Sequence, residues 1–328
     1  MTMRIQWLLV CALALSPSMA GAAGSEVADA AMRGDRAAVR AALARKADVN
    51  ATQADGSTAL HWAAERDDVE MAERLIAAGA NASARTREGV TPLQLAAVNG
   101  SAALITRLLK AGVDPNAALT PARDTALMMA ARTGTTDAVR VLTEAGADVN
   151  AKETWGGTTA LMWAVSEHHA DAARVLIAAG ADVNARSNYV APANGRGFEG
   201  RTPVTGGGAE AKVVEFASGW LTPLMFAARE GDVELTRALL AGGAEMNAVA
   251  GDGKTALAVA IFNGNYEVAS FLVDKGADVN VKNKRGWSPV TIAEGVYTNN
   301  SNTRNPEALS LLMSLGGVGS PANAVAVK

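Results

Sequence analysis

Apolar residues recur at helical spacing through Val27 to Leu43, on either side of Gly34-Asp35, which predicts two short helices joined by a turn. The same two-helix pattern then returns along the chain. A Thr-(Ala/Pro)-Leu mark opens the first helix of each unit at Thr58, Thr91, Thr125, Thr159, Thr222 and Thr255, with Ser288-Pro289-Val290 as an altered copy. The gaps between these marks are 33, 34, 34, 63, 33 and 33 residues. A second mark lies just beyond each second helix, at Asp48, Asn81, Asp114, Asp148, Asp182, Glu245 and Asp278, with gaps of 33, 33, 34, 34, 63 and 33. Two independent marks on one period signal a repeat architecture, in which single units cannot bury their own apolar face and must stack.

Each position of the unit has a physical reason. The threonine hydroxyl can accept an orphan backbone N–H at a helix start, and Pro92, Pro223 and Pro289 sit just inside, where a missing N–H costs nothing. The pairs Ala63-Ala64, Ala96-Ala97, Ala130-Ala131 and Ala227-Ala228 are small enough for neighbouring helices to approach. Gly79, Gly112, Gly146, Gly180, Gly243 and Gly276 fall where the second helix must end in a left-handed residue. The Asp/Asn and Asn/Ser pairs that follow support a tight turn. Val27 to Leu43 lacks the Thr-Ala-Leu mark and reads as a first, capping unit, with Arg33, Asp35, Arg36 and Arg40 on its outer side. Six regular units start near Asp55, Glu88, Arg123, Gly156, Leu221 and Asp252, and a diverged one starts near Arg285. The expectation is eight units.

The unit resembles the ankyrin repeat, which runs Gly-x-Thr-Pro-Leu-His-x-Ala-Ala into its first helix and ends Leu-Leu-x-x-Gly-Ala-Asp-x-Asn. Here Gly56 to Ala64 reads G-S-T-A-L-H-W-A-A and Leu75 to Ser83 reads L-I-A-A-G-A-N-A-S. The resemblance covers roughly residues 26 to 317. It implies an all-α solenoid of about eight helix-turn-helix repeats, curved, with β-turn or hairpin loops projecting to one side. It says little of function, since a fold does not fix an activity.

Two places break the period. The 63-residue gap holds about 30 extra residues, at Ser187 to Gly219, with a Gly206-Gly207-Gly208 run, Tyr189, Phe198, Phe216 and the alternating segment Lys212 to Phe216. Loops of this length are functional or disordered, and insertions in repeat proteins map to one face. In the last unit polar residues within Thr298 to Asn305 lengthen the connection before Pro306 opens a final helix, and the tail at 318–328 is expected to be disordered.

Residues 1–23 read as a secretory signal: Arg4 is the positive region, Trp7 to Leu15 the short apolar run, and Ser18-Met19-Ala20 or Ala20-Gly21-Ala22 the small-residue cleavage site. The domain plan is thus a signal at 1–23, a solenoid over 24–317 with the insertion at 187–219, and the tail. The one cysteine, Cys11, lies inside the signal, so the mature chain has no thiol to mispair in an oxidising compartment. The whole chain carries a net charge of −3 and only 4% aromatics. That balance offers no electrostatic footprint for nucleic acid. The expectation is a bacterial periplasmic protein, with secretion as an alternative, not inserted in the membrane once the signal is removed, and monomeric.

Candidate chemistry is thin. Ala248 to Thr255 formally matches a phosphate-cradling loop, but it lies at a repeat junction rather than after a buried strand. His61 stands where the resembling family has its structural histidine, and His168-His169 lies on a turn with no third ligand nearby in sequence. No cofactor, metal or catalytic residue is expected. A hydrolase site on the insertion would need a base there, and residues 187–219 contain neither histidine nor cysteine. In the resembling family partner contacts come from turn tips and from the inner helix after the Ala-Ala pair. Carried over, the inner positions are Glu65, Arg66, Val98, Asn99, Arg132, Thr133, Ser166, Glu167, Arg229, Glu230, Phe262 and Asn263. Trp155, Tyr189, Phe198, Trp220 and Trp287 stand beside them at the turns. Four repeats place a charge at the inner positions, so a polar groove with few apolar anchors is expected. The function that follows is a non-catalytic scaffold for another protein in the periplasm, with a secreted effector that binds a host protein as the alternative.

Overall fold

The computed structural model describes residues 25–118, 123–190, 218–284, 286–293 and 306–314. Eight helix pairs follow one another through them. They are α1 Glu26–Met32 with α2 Arg36–Ala44, α3 Ala59–Glu65 with α4 Val69–Ala77, α5 Pro92–Val98 with α6 Ala102–Lys110, and α7 Ala126–Thr133 with α8 Thr136–Glu144. Then come α9 Ala160–Ser166 with α10 Ala170–Ala178, α11 Pro223–Glu230 with α12 Val233–Ala241, α13 Ala256–Asn263 with α14 Tyr266–Asp274, and α15 Pro289–Ala293 with α16 Pro306–Ser314. Odd-numbered helices stack on odd and even on even, so the chain builds two layers with one continuous core. The expected count of eight units holds. The predicted signal, the tail at 318–328, most of the insertion (191–217) and residues 294–305 lie outside the described residues.

Helix starts behave as their residue types require. The hydroxyls of Thr91, Thr125, Thr159, Thr222 and Thr255 accept from the backbone N–H three residues on, and Ser288 does the same for Thr291. The alanine pairs are fully buried between stacked odd helices, while Leu75, Leu108, Leu142 and Leu176 fill the space beneath the even ones. Burying each such leucine contributes roughly 1.5–3 kcal/mol, but only once a neighbouring repeat covers it.

Lateral hydrogen bonds repeat with the period. Asn150 donates its side-chain amide to the Gly180 carbonyl and accepts from the Asp182 N–H with its other atom, at 3.2 and 2.7 Å. Asn116 makes the same two bonds to Gly146 and Asp148, and Asn50 to Gly79 and Asn81. Asn184 makes them to Gly243 and Glu245, on the far side of the insertion. The insertion therefore leaves the stacking unbroken. Its neck is a two-residue antiparallel pair, β1 Tyr189–Val190 with β2 Ser218–Gly219, closed below by the Ser187 and Leu221 backbones. The turn tips are also tied: the Asp55 carbonyl accepts from Arg87 N–H and the Asp252 carbonyl from Lys284 N–H. A side chain at Gly56 or Gly253 would drive its Cβ to 2.9 or 2.8 Å from those same amide nitrogens. Glycine is required there by close approach as well as by its positive φ.

On the outer layer, arginines reach between repeats. Arg36 holds Asp68 through two bonds of 2.7 and 2.8 Å and touches Glu70, Arg107 pairs with Glu73, and Arg174 with Glu234. Burial pushes the Asp68 carboxyl up, but the Arg36 bonds and charge, with the Met71 N–H, outweigh it and hold the group below the usual carboxylate range. Pairs this exposed are screened by water and add little to stability.

His61 is buried, and its role is structural. Its Nδ1 lies 3.2 Å from the Thr58 backbone N–H and 2.9 Å from the Thr58 hydroxyl, while its Nε2 lies 3.0 Å from the Val90 carbonyl of the next repeat. The neutral tautomer that satisfies both ends accepts at Nδ1 and donates from Nε2. Burial lowers its pKa below 6.5, against an opposing bond to Val90 and charge on Asp55. Below pH 6.5 the unfolded chain therefore takes up a proton that the folded chain refuses, so stability is lost as pH falls from 6.5 through the lowered folded value.

Two predictions follow from these contacts. Asn150→Ala removes both lateral bonds and is expected to cost about 1–3 kcal/mol in urea unfolding, whereas loss within about 0.3 kcal/mol would show the ladder to be incidental. His61→Gln copies the residue at Gln94 of the next repeat. The stability difference between wild type and this variant is expected to shrink between pH 7.5 and 5.5 by at most about 1.4 kcal/mol per pH unit, and a constant difference would contradict the assignment.

Candidate partner-binding face

The inner positions taken from the sequence all lie at the ends of the odd helices, on one face of the stack, and all are exposed or half-exposed. Their side chains divide into two groups. Several are committed to the fold. The Asn99 amide donates to the Ala64 and Glu65 carbonyls at 2.9 and 3.1 Å, and Arg66 donates to the Met32 carbonyl at 3.1 Å. Each thereby closes the open carbonyl end of the preceding inner helix, where the last C=O groups lack intrahelical donors. His169 does this for Arg132 and Asn265 for Ala228 and Arg229. Thr133 and Asn263 turn back to carbonyls of their own helices. The remaining positions face outward: Glu65, Arg132, Glu167 and Arg229, with Val98 at 48% and Phe262 at 49% exposure, flanked by the half-exposed Ser166 and Glu230.

Beneath this rim the face departs from the expected polar groove. Four residues after each opening threonine stand Trp62, Leu95, Met129, Trp163 and Phe226, all half-buried on successive stacked helices. They form a ribbon of large apolar side chains at one register. The Arg132 guanidinium lies 5.0 Å from the Trp163 ring centroid and that of Arg229 4.8 Å from Phe226. One repeat on, Lys254 sits 4.7 Å from the Phe262 ring. Cations stacked on rings in this way are stabilised by the ring quadrupole and keep their charge at the surface. The ribbon was missed in the sequence because its members differ in type. Its only sequence signal is the fixed offset of four from the threonine column.

The aromatic residues at the turns have separate fates. Trp155 is 73% exposed, and its N–H and that of Gly156 bond to the buried Glu153 carboxylate. Trp220 is 46% exposed. Trp287 is half-buried against the core, with Asn283 closing its turn. Tyr189 belongs to the neck strand β1, and Phe198 lies outside the described residues. The phosphate-loop reading does not fit: Lys254 pairs with Asp252 at 2.8 Å in a turn pressed against the next repeat. His168 faces Asp232 across the repeat junction at 3.4 Å. Among the described residues no helix is long and apolar enough to cross a membrane, and no group of three or more metal-ligating side chains comes together.

Comparison with known proteins agrees with this geometry. The family model described as ankyrin repeats (3 copies) matches residues 27–119, 112–187 and 207–283. The chain is 43% identical over 81 residues to mouse ankyrin repeat domain-containing protein 17, and 37% identical over 68 residues to the potassium channel AKT1 of Oryza sativa subsp. indica. Those stretches are 24% and 21% of this chain but only 3% and 7% of the relatives' lengths. The chain thus spans a small fraction of these proteins. Among solved structures, the human ASB11 ankyrin repeat domain superposes with a TM-score of 0.61 at 24% identity, over 77% of this chain and 99% of that one. The ankyrin repeat domain of Bcl-3 gives 0.60 at 24%, over 79% and 99%. Ankyrin repeats are protein–protein interaction modules as a class. Period, capping, two-layer stacking and family match agree that this chain belongs to the ankyrin repeat family.

Proposed function

We propose that this chain is a non-catalytic scaffold that binds another protein through the face of its odd helices, and that it works in the periplasm after loss of residues 1–23. The observation that carries the binding reading is the contrast across that face. The framework of opening threonine, alanine five residues on and helix-ending glycine is held through the six regular repeats, while the outward positions change from Glu65 to Val98, Arg132, Glu167, Arg229 and Phe262. Below them lies the half-buried ribbon with arginines over two of its rings. Aromatic and arginine side chains at the centre of a contact surface are the usual energetic anchors of protein interfaces. Arg4, the apolar run Trp7 to Leu15 and the small residues before position 23 support export.

The test pairs fractionation with capture. Mass spectrometry of the protein from a periplasmic fraction is expected to find a chain that begins between residues 21 and 24. A full-length chain in the cytosol would overturn the location. Affinity capture from an envelope extract with the mature chain is expected to retain a partner that the double variant Arg132→Glu, Arg229→Glu loses by about tenfold or more, with its helical content unchanged. Equal retention by both would reject this face, and turnover of a substrate by the purified chain would reject the scaffold reading itself.

A further inference from the structure

A cavity of about 610 Å³ opens at the turn tips next to the insertion's neck. Arg186, Trp220, Val249, Lys282 and Lys284 line it, with Ala250, Gly253 and Asn283 behind. Three of these side chains are cations and none is a carboxylate, on a chain whose net charge is −3. One cation of the basic wall, Arg186, is fixed by a hydrogen bond of its own side chain: its guanidinium donates to the Val249 carbonyl at 2.7 Å. Lys284 is held by its backbone N–H on the Asp252 carbonyl at 2.9 Å. The apolar wall is open, with Trp220 46% and Val249 41% exposed. Trp220 also holds a φ of +53°, a left-handed backbone that a bulky residue adopts at a cost. Gly56, Gly89, Arg123, Gly157 and Gly253 are left-handed at the same place in their repeats, so this backbone belongs to the turn and glycine is its usual occupant.

We propose that this cavity binds a short extended peptide in which carboxylates flank one apolar or aromatic side chain. The cations take the carboxylates, and Trp220 with Val249 takes the side chain. The volume suits a few residues, since pockets for compact ligands run to roughly 300–1,000 Å³. A long polyanion such as a nucleic acid fits less well. It would have to run past Asp182, Glu245 and Asp278, the exposed carboxylates that begin the same turns. The site is independent of the ribbon face and does not rest on the function proposed for it.

The probe is a fluorescein-labelled Glu-Glu-Leu-Glu-Glu peptide, titrated with the mature chain by fluorescence anisotropy at low salt. The double variant Lys282→Glu, Lys284→Glu is expected to bind it about tenfold more weakly or worse. Trp220→Gly is expected to weaken it by about fivefold while melting no lower than wild type, because glycine adopts the left-handed backbone without strain. Wild-type affinity in the lysine or tryptophan variants would overturn the proposal. So would equal binding of Lys-Lys-Leu-Lys-Lys, or tighter binding of an oligothymidylate.

Discussion

At four junctions an asparagine in the turn beyond the second helix joins two repeats through both atoms of its amide, and the rest of the structure depends on that registration. Asn50, Asn116, Asn150 and Asn184 each donate to a glycine carbonyl and accept from an N–H two residues further on in the next repeat. A stacked pair of helices can slide or rotate at small cost in apolar area, because burial is not directional. A two-point hydrogen bond is directional, so it fixes the angle at which one repeat follows another. With the angle fixed, each threonine column, alanine pair and ribbon residue lands beside its counterpart. The face that results is a property of the whole stack and of no single repeat.

The same registration explains how the chain tolerates about 30 extra residues between Asn184 and Gly243. The neck pairs Tyr189 with Gly219, and the Ser187 and Leu221 backbones bond beneath it. The two ends of the insertion therefore leave and rejoin the turn at the spacing an ordinary turn would have. An insertion placed within a helix would have broken the layer. Where the chain returns, Trp220 takes the same left-handed backbone that Gly56, Gly89, Arg123, Gly157 and Gly253 take two residues before the opening threonine of their own repeats.

The framework was legible because it is local. Helix caps, helix-ending glycines, the alanine pairs and the His61 bonds to Thr58 all act within a few residues of their mark, and the period repeats each signal. The eight units, the six regular starts and the Pro306 helix follow from that. The surface was less legible because its contacts join residues more than thirty apart. Asn99 and Arg66 read as partner-contacting positions, yet their side chains close the preceding helix. The ribbon from Trp62 to Phe226 mixes tryptophan, leucine, methionine and phenylalanine, so no repeated letter marks it. The expectation of a polar groove counted the charges at the rim correctly. It missed that Arg132 and Arg229 lie over rings.

Hydrogen exchange read by mass spectrometry on Asn184→Ala tests most directly whether the stack runs unbroken across the insertion. A continuous stack predicts that protection falls together in peptides covering α9–α10 and α11–α12, since each side loses the same partner, while peptides from α3 to α6 keep theirs. If protection on both sides of the insertion is unchanged, or falls on one side alone, the two halves stand independently and the continuous face described here does not exist.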